Sequence, residues 1–280
     1  IALDQDGGMG GLSVIEASSG EDLPTISTLP TKTGYIFGGY YTQKNGAGTQ
    51  YITASGASAA QYPESGGPTI LYAKWTAITY SIKYNANGGS GTMANSSHTY
   101  GVAKNLTANG FSKTGYSFAG WATSTTGAVK YSNSQSVSNL STTNGAVVNL
   151  YAVWSINSYT ISVTSQDSTK GDVIGGGAYQ YNSTITIGAT PNIGYSLLYW
   201  IKYDNGTETI IYTNKQQIVV PAHNNLSYVA VFGQAIDGVN VSATYGGMVS
   251  MIGDEFDSLA DSDTITLVAT VCVVGYEFSH

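Results

Sequence analysis

The chain has no arginine, and all ten of its cationic side chains are lysines. Charged residues make up only 10% of it, the net charge is −7 and the pI is about 4.7. Phosphate backbones are gripped by clustered Lys and Arg, so a nucleic-acid partner is excluded. Cys272 is the single cysteine, which rules out an intrachain disulfide but leaves the compartment open. No apolar run reaches the ~20 residues of a membrane-spanning helix, and the N-terminus has no basic-then-apolar leader pattern. Apolar residues nowhere keep a 3.6-residue period over twelve or more positions, so long amphipathic helices are not expected. Scarcity of charge signals disorder only when apolar residues are scarce too. Here 42% of residues are hydrophobic and 22 are tyrosine, the composition of a folded chain.

What the chain does have is repetition. The phrase Lys113-Thr114-Gly115-Tyr116-Ser117-Phe118-Ala119-Gly120-Trp121 recurs 81 residues earlier as Lys32-Thr33-Gly34-Tyr35-Ile36-Phe37-Gly38-Gly39-Tyr40. A looser copy, Asn192-Ile193-Gly194-Tyr195 through Tyr199-Trp200, lies 79 residues later, and Gly275-Tyr276 a further 81 on. A second phrase closes three units: Leu71-Tyr72-Ala73-Lys74-Trp75, Leu150-Tyr151-Ala152-Val153-Trp154 and Tyr228-Val229-Ala230-Val231-Phe232. Self-similarity at a fixed period marks a tandem array. The expected division is 1–77, 78–156, 157–235 and a partial fourth unit, 236–280. Units of about 80 residues bury only ~60% of their unfolded surface, so each should be marginal unless a neighbour helps.

Within a unit the signals are those of strands. Tyr80, Ile82 and Tyr84 alternate with Ser81 and Lys83, and Tyr159, Ile161 and Val163 with Thr160 and Ser162. Asn87-Gly88-Gly89 suits a hairpin turn needing positive φ. Between that turn and the main phrase, a short helix and an extended crossover both remain open. Tyr116 and Phe118 share a face, and strict alternation would put Trp121 on the other one; a bulge at Gly120 would return it to the core. Tyr199 stands in the corresponding place of the third unit, which suggests that the bulge is dispensable there. Gly115 is expected to supply either a backbone shape or a close approach. The repeat-core set is thus Gly34, Tyr35, Phe37, Tyr40 and Trp75; Gly115, Tyr116, Phe118, Trp121 and Trp154; Gly194, Tyr195, Trp200 and Phe232; and Gly275 with Tyr276.

The run Ile82-Lys83-Tyr84-Asn85-Ala86-Asn87-Gly88-Gly89, with the two phrases that follow it, resembles the Listeria–Bacteroides repeat, also known as the internalin B-repeat type. The first two units match it well, and the third unit and the fourth fragment resemble a more divergent bacterial relative. The resemblance implies a mainly β fold, a tandem array of small β-grasp-like, ubiquitin-like domains. It also implies a stalk or adhesive module of a bacterial surface protein, and it brings no catalytic residues.

Candidate sites are few. Leu29-Pro30-Thr31-Lys32-Thr33-Gly34 nearly spells a cell-wall sorting signal but has one residue too many and no apolar segment after it. Asp4-Gln5-Asp6-Gly7 lacks the distal glutamate of a calcium loop and reads as a turn. Asp254, Glu255, Asp257, Asp261 and Asp263 could converge on calcium, although a solvated acidic loop is the simpler reading. Cys272, His98, His223 and His280 are scattered over three units, so no nucleophile–base pair is expected and no enzyme. Nothing points to a cofactor. The tyrosines could form a sugar platform, but a ring that packs while its hydroxyl reaches water is the favoured reading. The function expected is a structural stalk or fibre segment of a large cell-surface or extracellular protein, the alternative a glycan- or protein-binding module. Residues 236–280 lack counterparts of the third unit's last strands, so either the chain is expected to continue for roughly 40 residues, by the ~80-residue period, or a second molecule fills in; continuation is favoured.

Overall fold

The computed structural model describes residues 1–213 and 215–235, and the protein is mainly β. The Asp254–Asp263 acids, Cys272, Gly275, Tyr276 and His280 lie outside the described residues. Two compact units divide the chain, residues 1–155 and residues from 156 onward.

The first unit holds two four-stranded sheets with three corresponding strands each, and a small two-stranded sheet. In residues 1–77 the strands are β1 (Ala2–Asp4), β2 (Tyr35–Tyr41), β3 (Gln50–Ile52) and β4 (Ile70–Ala77), in the order β1-β4-β2-β3. First and last strands lie parallel, Leu3 beside Leu71, with β1 at the sheet edge and β2 running antiparallel along the other side of β4. In residues 78–156 the strands are β5 (Thr79–Asn85), β6 (Ser96–Thr99), β7 (Lys104–Asn105), β8 (Tyr116–Ala122), β9 (Ser136–Val137) and β10 (Val147–Ile156). Their main sheet is ordered β6-β5-β10-β8, again with first and last strands parallel. Each closing strand presents Leu and Ala inward: Leu71, Ala73, Leu150 and Ala152 are fully buried. The crossovers are extended. Apart from a single 3-10 turn at Lys44–Gly46, no helix occurs among the described residues. Isolated apolar residues of the crossovers cover the sheets instead: Ile15, Leu23 and Ile26 in one, Leu106, Phe111 and Val137 in the other. Crossovers rich in Gly, Ser, Thr and Asn favour turns over helix, which is the physical reason for this cover.

The two sheets are joined by one residue. β4 ends at Ala77 and β5 starts at Thr79; Ile78 between them is 3% exposed. Its N–H donates to the Gly34 carbonyl at 3.0 Å, and its own carbonyl accepts from Tyr100 N–H at 3.0 Å. The Tyr35 and Tyr100 rings meet edge to face, 5.8 Å apart. Both sides thus clamp the connection.

In the second unit, β11 (Ser158–Ser165), β13 (Gly177–Gln180), β15 (Tyr195–Asp204), β16 (Thr207–Ile211) and β18 (Leu226–Gln234) form a sheet ordered β13-β11-β18-β15-β16. β12 (Gly171–Ile174), β14 (Thr184–Pro191) and β17 (Gln217–Pro221) form a second one. β11 and β18 keep the parallel central pair. Ile185, Ile187 and Val220 of the smaller sheet share one core with Trp200, Tyr228 and Phe232 of the larger. Here the cover is itself a sheet, and the core is correspondingly richer in β-branched residues.

The bulge expectation needs one correction. Phe37 pairs with Trp75 but Tyr40 with Ala73, so β2 carries an extra residue around Gly38-Gly39. In β15, Leu197 pairs with Phe232 and Tyr199 with Val231, so the bulge is kept, at Leu198, without glycine. It is required because it delivers Tyr40 and Trp200 to the core; both are fully buried, as is Trp121 beside Phe118. Leu198 is not among the residues at positive φ, so its bulge calls for no glycine, and its side chain turns outward, 46% exposed.

Candidate functional site

Three chain segments meet at one corner of each sheet: the turn after the first strand, the turn opening the main phrase, and the aromatic that ends the closing phrase. In the first two sheets the leading turn has two residues at positive φ, Asp6 (44°) and Gly7 (81°), then Asn87 (48°) and Gly88 (85°). Gly8 N–H donates to Gln5 O and Gly89 N–H to Ala86 O, closing turns of the hairpin type that Asn-Gly and Asp-Gly favour. The second turn places Gly34, Gly115 and Gly194 third of four residues, at φ 79°, 77° and 84°. Tyr35, Tyr116 and Tyr195 each close it by donating back to residue 32, 113 or 192 at 3.0 Å. Positive φ at that position is what calls for glycine. The tyrosines themselves are half-buried.

The aromatic seals the corner. Trp75 Nε1 donates to Gln5 O and Trp154 Nε1 to Ala86 O, each at 2.9 Å. Gly8, Gly89 and Gly171 lie against the rings of Trp75, Trp154 and Phe232, where a Cβ has no room. Phe37 packs on Trp75 and Phe118 on Trp154, centroids 5.5 and 5.8 Å apart. Lys32 Nζ and Lys113 Nζ stand over Tyr35 and Tyr116 at 4.9 and 4.4 Å. In the second unit Asn192 replaces the lysine and donates to Thr169 O at 2.9 Å.

The first two corners differ in filling. Lys32 Nζ donates to Asp6 O, Lys44 Nζ lies 3.5 Å from the Asp6 carboxylate, and the Lys74 stem packs against Gly46. At the matching positions of the next sheet stand Asn87, Thr125 and Val153. Shorter and uncharged, they leave a solvent-open groove of about 260 Å³ lined by Asn87, Lys113, Thr125 to Gly127, Val153 and Trp154. Asn87 Nδ2 donates to Thr125 O and Ala152 O, holding the groove wall in place. No signal within a single repeat marks this groove; comparing the two loops residue by residue would have found it.

The remaining candidates are dispersed. Thr31 pairs with Met9, and Lys32-Thr33-Gly34 is the turn already described, so the sorting-like letters serve the fold. Asp4 Oδ1 accepts from Asp6 N–H within the first turn. His223 is exposed and bonds Asn182. Among the described residues no three His, Cys, Asp or Glu side chains converge as for a metal, and no helix is long and apolar enough to cross a membrane.

His98 is 1% exposed, stacked on Tyr80 at 5.6 Å and bonded through Nε2 to Ser96 Oγ at 3.0 Å. Burial first, and the Lys104 charge second, hold its pKa below the ordinary value. Between that lowered pKa and ~6.5 the unfolded chain binds more protons than the folded one. The stability carried by neutral His98 is therefore complete above about pH 6.5 and declines as the pH falls below it. Residues 78–156 contain no Asp or Glu, so no carboxylate of that segment competes in this window. Urea unfolding followed on β5 and β6 amide resonances should give a lower midpoint at pH 5 than at pH 7. His98→Gln should flatten the difference; an equal slope in the variant would remove His98 as its source.

Similarity to known proteins follows the same division. Over 267 residues, 93% of this chain, it is 29% identical to a provisionally named Gly-rich membrane protein of Evansella cellulosilytica. A second protein of that organism, provisionally named a membrane protein, is 27% identical over 203 residues, 71% of this chain. The chain spans 28% of the length of each of these relatives. Residues 159–235 match the divergent InlB B-repeat domain, and residues 3–74 and 80–153 each match the Listeria-Bacteroides repeat domain. With a parallel first-and-last strand pair and a glycine turn under an aromatic in each matched segment, the chain belongs to the Listeria-Bacteroides repeat family.

Proposed function

We propose that this chain is a spacer segment of a bacterial cell-surface or extracellular protein, built of β-grasp-type repeats at 1–77, 78–156 and 157–235 and holding an adhesive region away from the cell. The observation that carries this reading is the one-residue connection at Ile78, bonded on one side to Gly34 and on the other to Tyr100. A spacer must resist bending, and a buried, doubly bonded linker does so where a solvated one would not. The family's place among surface repeats and the membrane-protein names of the relatives support the compartment. The parallel pairing of first and last strands, central in the second sheet and with β1 at the edge in the first, supports the β-grasp reading, the helix of that fold being replaced by extended crossover.

The test is a distance distribution. In a Cys272→Ser background, dyes at Glu64→Cys and Thr142→Cys, both exposed loop positions on opposite sides of Ile78 in the chain, should give one narrow single-molecule FRET population. A broad distribution like that of a flexible linker would sink the spacer reading. A second reading, an adhesion module, is favoured by the open groove beside Trp154.

A further inference from the structure

We propose that the groove between Lys113 and Trp154 binds an acidic saccharide, its carboxylate on Lys113 and the ring against the indole. The inference deepens the adhesive reading and is independent of the spacer reading, which the dye distances test separately.

Charge is the first observation. Residues 78–156 carry Lys83, Lys104, Lys113 and Lys130 with no Asp or Glu, in a chain whose net charge is −7. This repeat is therefore a cationic island, and Lys113 finds no carboxylate within its own segment. Its ammonium stands 4.4 Å over the Tyr116 ring, an arrangement that keeps it positioned. In the preceding repeat the matching Lys32 donates to Asp6 O, and the Asp6 carboxylate pairs with Lys44. That corner supplies its own anion, whereas the second repeat leaves the position open to one from outside.

Shape is the second. Thr125 replaces Lys44 and Val153 replaces Lys74, so the long stems that occupy the first corner are gone. Ligand clefts run ~300–1,000 Å³, so a groove of about 260 Å³ suits one charged ring of a longer polymer rather than a large ligand. Trp154 is partly exposed, and its bond to Ala86 O together with packing on Phe118 fixes the ring plane. A pre-set aromatic face suits the C–H face of a sugar at little ordering cost. The exposed hydroxyls of Thr125 and Thr126 offer donors and acceptors at the rim. An ammonium, an aromatic plane and hydroxyls in one cleft select a sugar acid over a neutral sugar or a bare anion.

The experiment titrates the full chain with an oligogalacturonate, reading amide and indole N–H chemical shifts, with maltoheptaose and inorganic phosphate in parallel arms. Shifts should centre on the Trp154 indole, Lys113 and Thr125 to Gly127, leave Trp75 and Lys32 unmoved, and weaken as salt rises. Lys113→Gln should lower the affinity at least tenfold and Lys113→Arg should preserve it. Thr126→Glu, at an exposed loop position, should abolish binding by placing a carboxylate beside Lys113, and serves if Lys113→Gln misfolds. Equal binding of maltoheptaose would overturn the role of charge, and equal binding of phosphate the role of the sugar ring. Absence of shifts at the groove, or unimpaired binding by Thr126→Glu, would overturn the site.

Discussion

Trp121→Ala is expected to unfold the β6-β5-β10-β8 sheet while leaving the unit of residues 156–235 folded. The side chain is fully buried and packs against Tyr84, Phe111 and Phe118 at centroid distances of 4.9, 6.2 and 4.9 Å. Truncating so large a core aromatic costs ~3–5 kcal/mol. The matched segment 80–153 has only about 4–11 kcal/mol in all, at ~0.05–0.15 kcal/mol per residue. Residues near Gly34 should lose part of their protection, because Ile78 and Tyr100 belong to both sheets' boundary. Site-resolved hydrogen exchange is the readout, and uniform loss across residues 1–235 would refute this local picture.

The matching position in the first sheet should respond with the opposite sign to a smaller change. Tyr40 is fully buried and its hydroxyl has no hydrogen-bond partner; burial, and secondarily the Asp4 charge, push its pKa up to about 12. Tyr40→Phe removes an unpaired polar group without removing the ring. It should be neutral or stabilising by about 1 kcal/mol.

Gly34→Ala should cost more than Gly194→Ala, although both glycines hold nearly the same backbone angle, φ 79° and 84°. Left-handed conformation alone costs an L-residue roughly 1–2 kcal/mol, and this applies to both. A Cβ on Gly194 meets nothing within 4 Å, but on Gly34 it would enter the Tyr100 ring. Displacing that ring adds an overpacking cost of ~1–3 kcal/mol and loosens the clamp on Ile78. The excess should appear as faster exchange of the Ile78 amide and as a broader dye-distance distribution across the junction. Equal losses at the two glycines would mean that the Tyr100 contact contributes nothing to joining the sheets.

Local chemistry explains what could be read in the chain. The period, the strands and the glycine of each Lys-Thr-Gly-Tyr turn rest on alternation and on a φ value, which neighbouring residues express by themselves. The need to return Trp121 to the core follows from counting two residues per pleat. Its device in the third repeat did not follow, because a bulge at Leu198 is set by how β15 pairs with β18, some 30 residues away. The extended crossovers follow from their Gly, Ser, Thr and Asn content, but which of their apolar residues cover the sheet was decided by tertiary packing. Most remote of all were the corners. Gly89 reads as turn chemistry, yet its missing Cβ also makes room for Trp154, 65 residues later in the chain. The groove beside it exists because three substitutions far apart in sequence, at 87, 125 and 153, converge on one spot that in the first sheet is filled by Asp6, Lys44 and Lys74. Such coincidence is a property of tertiary packing alone, since nothing in the local conformation of any of the three residues requires the other two.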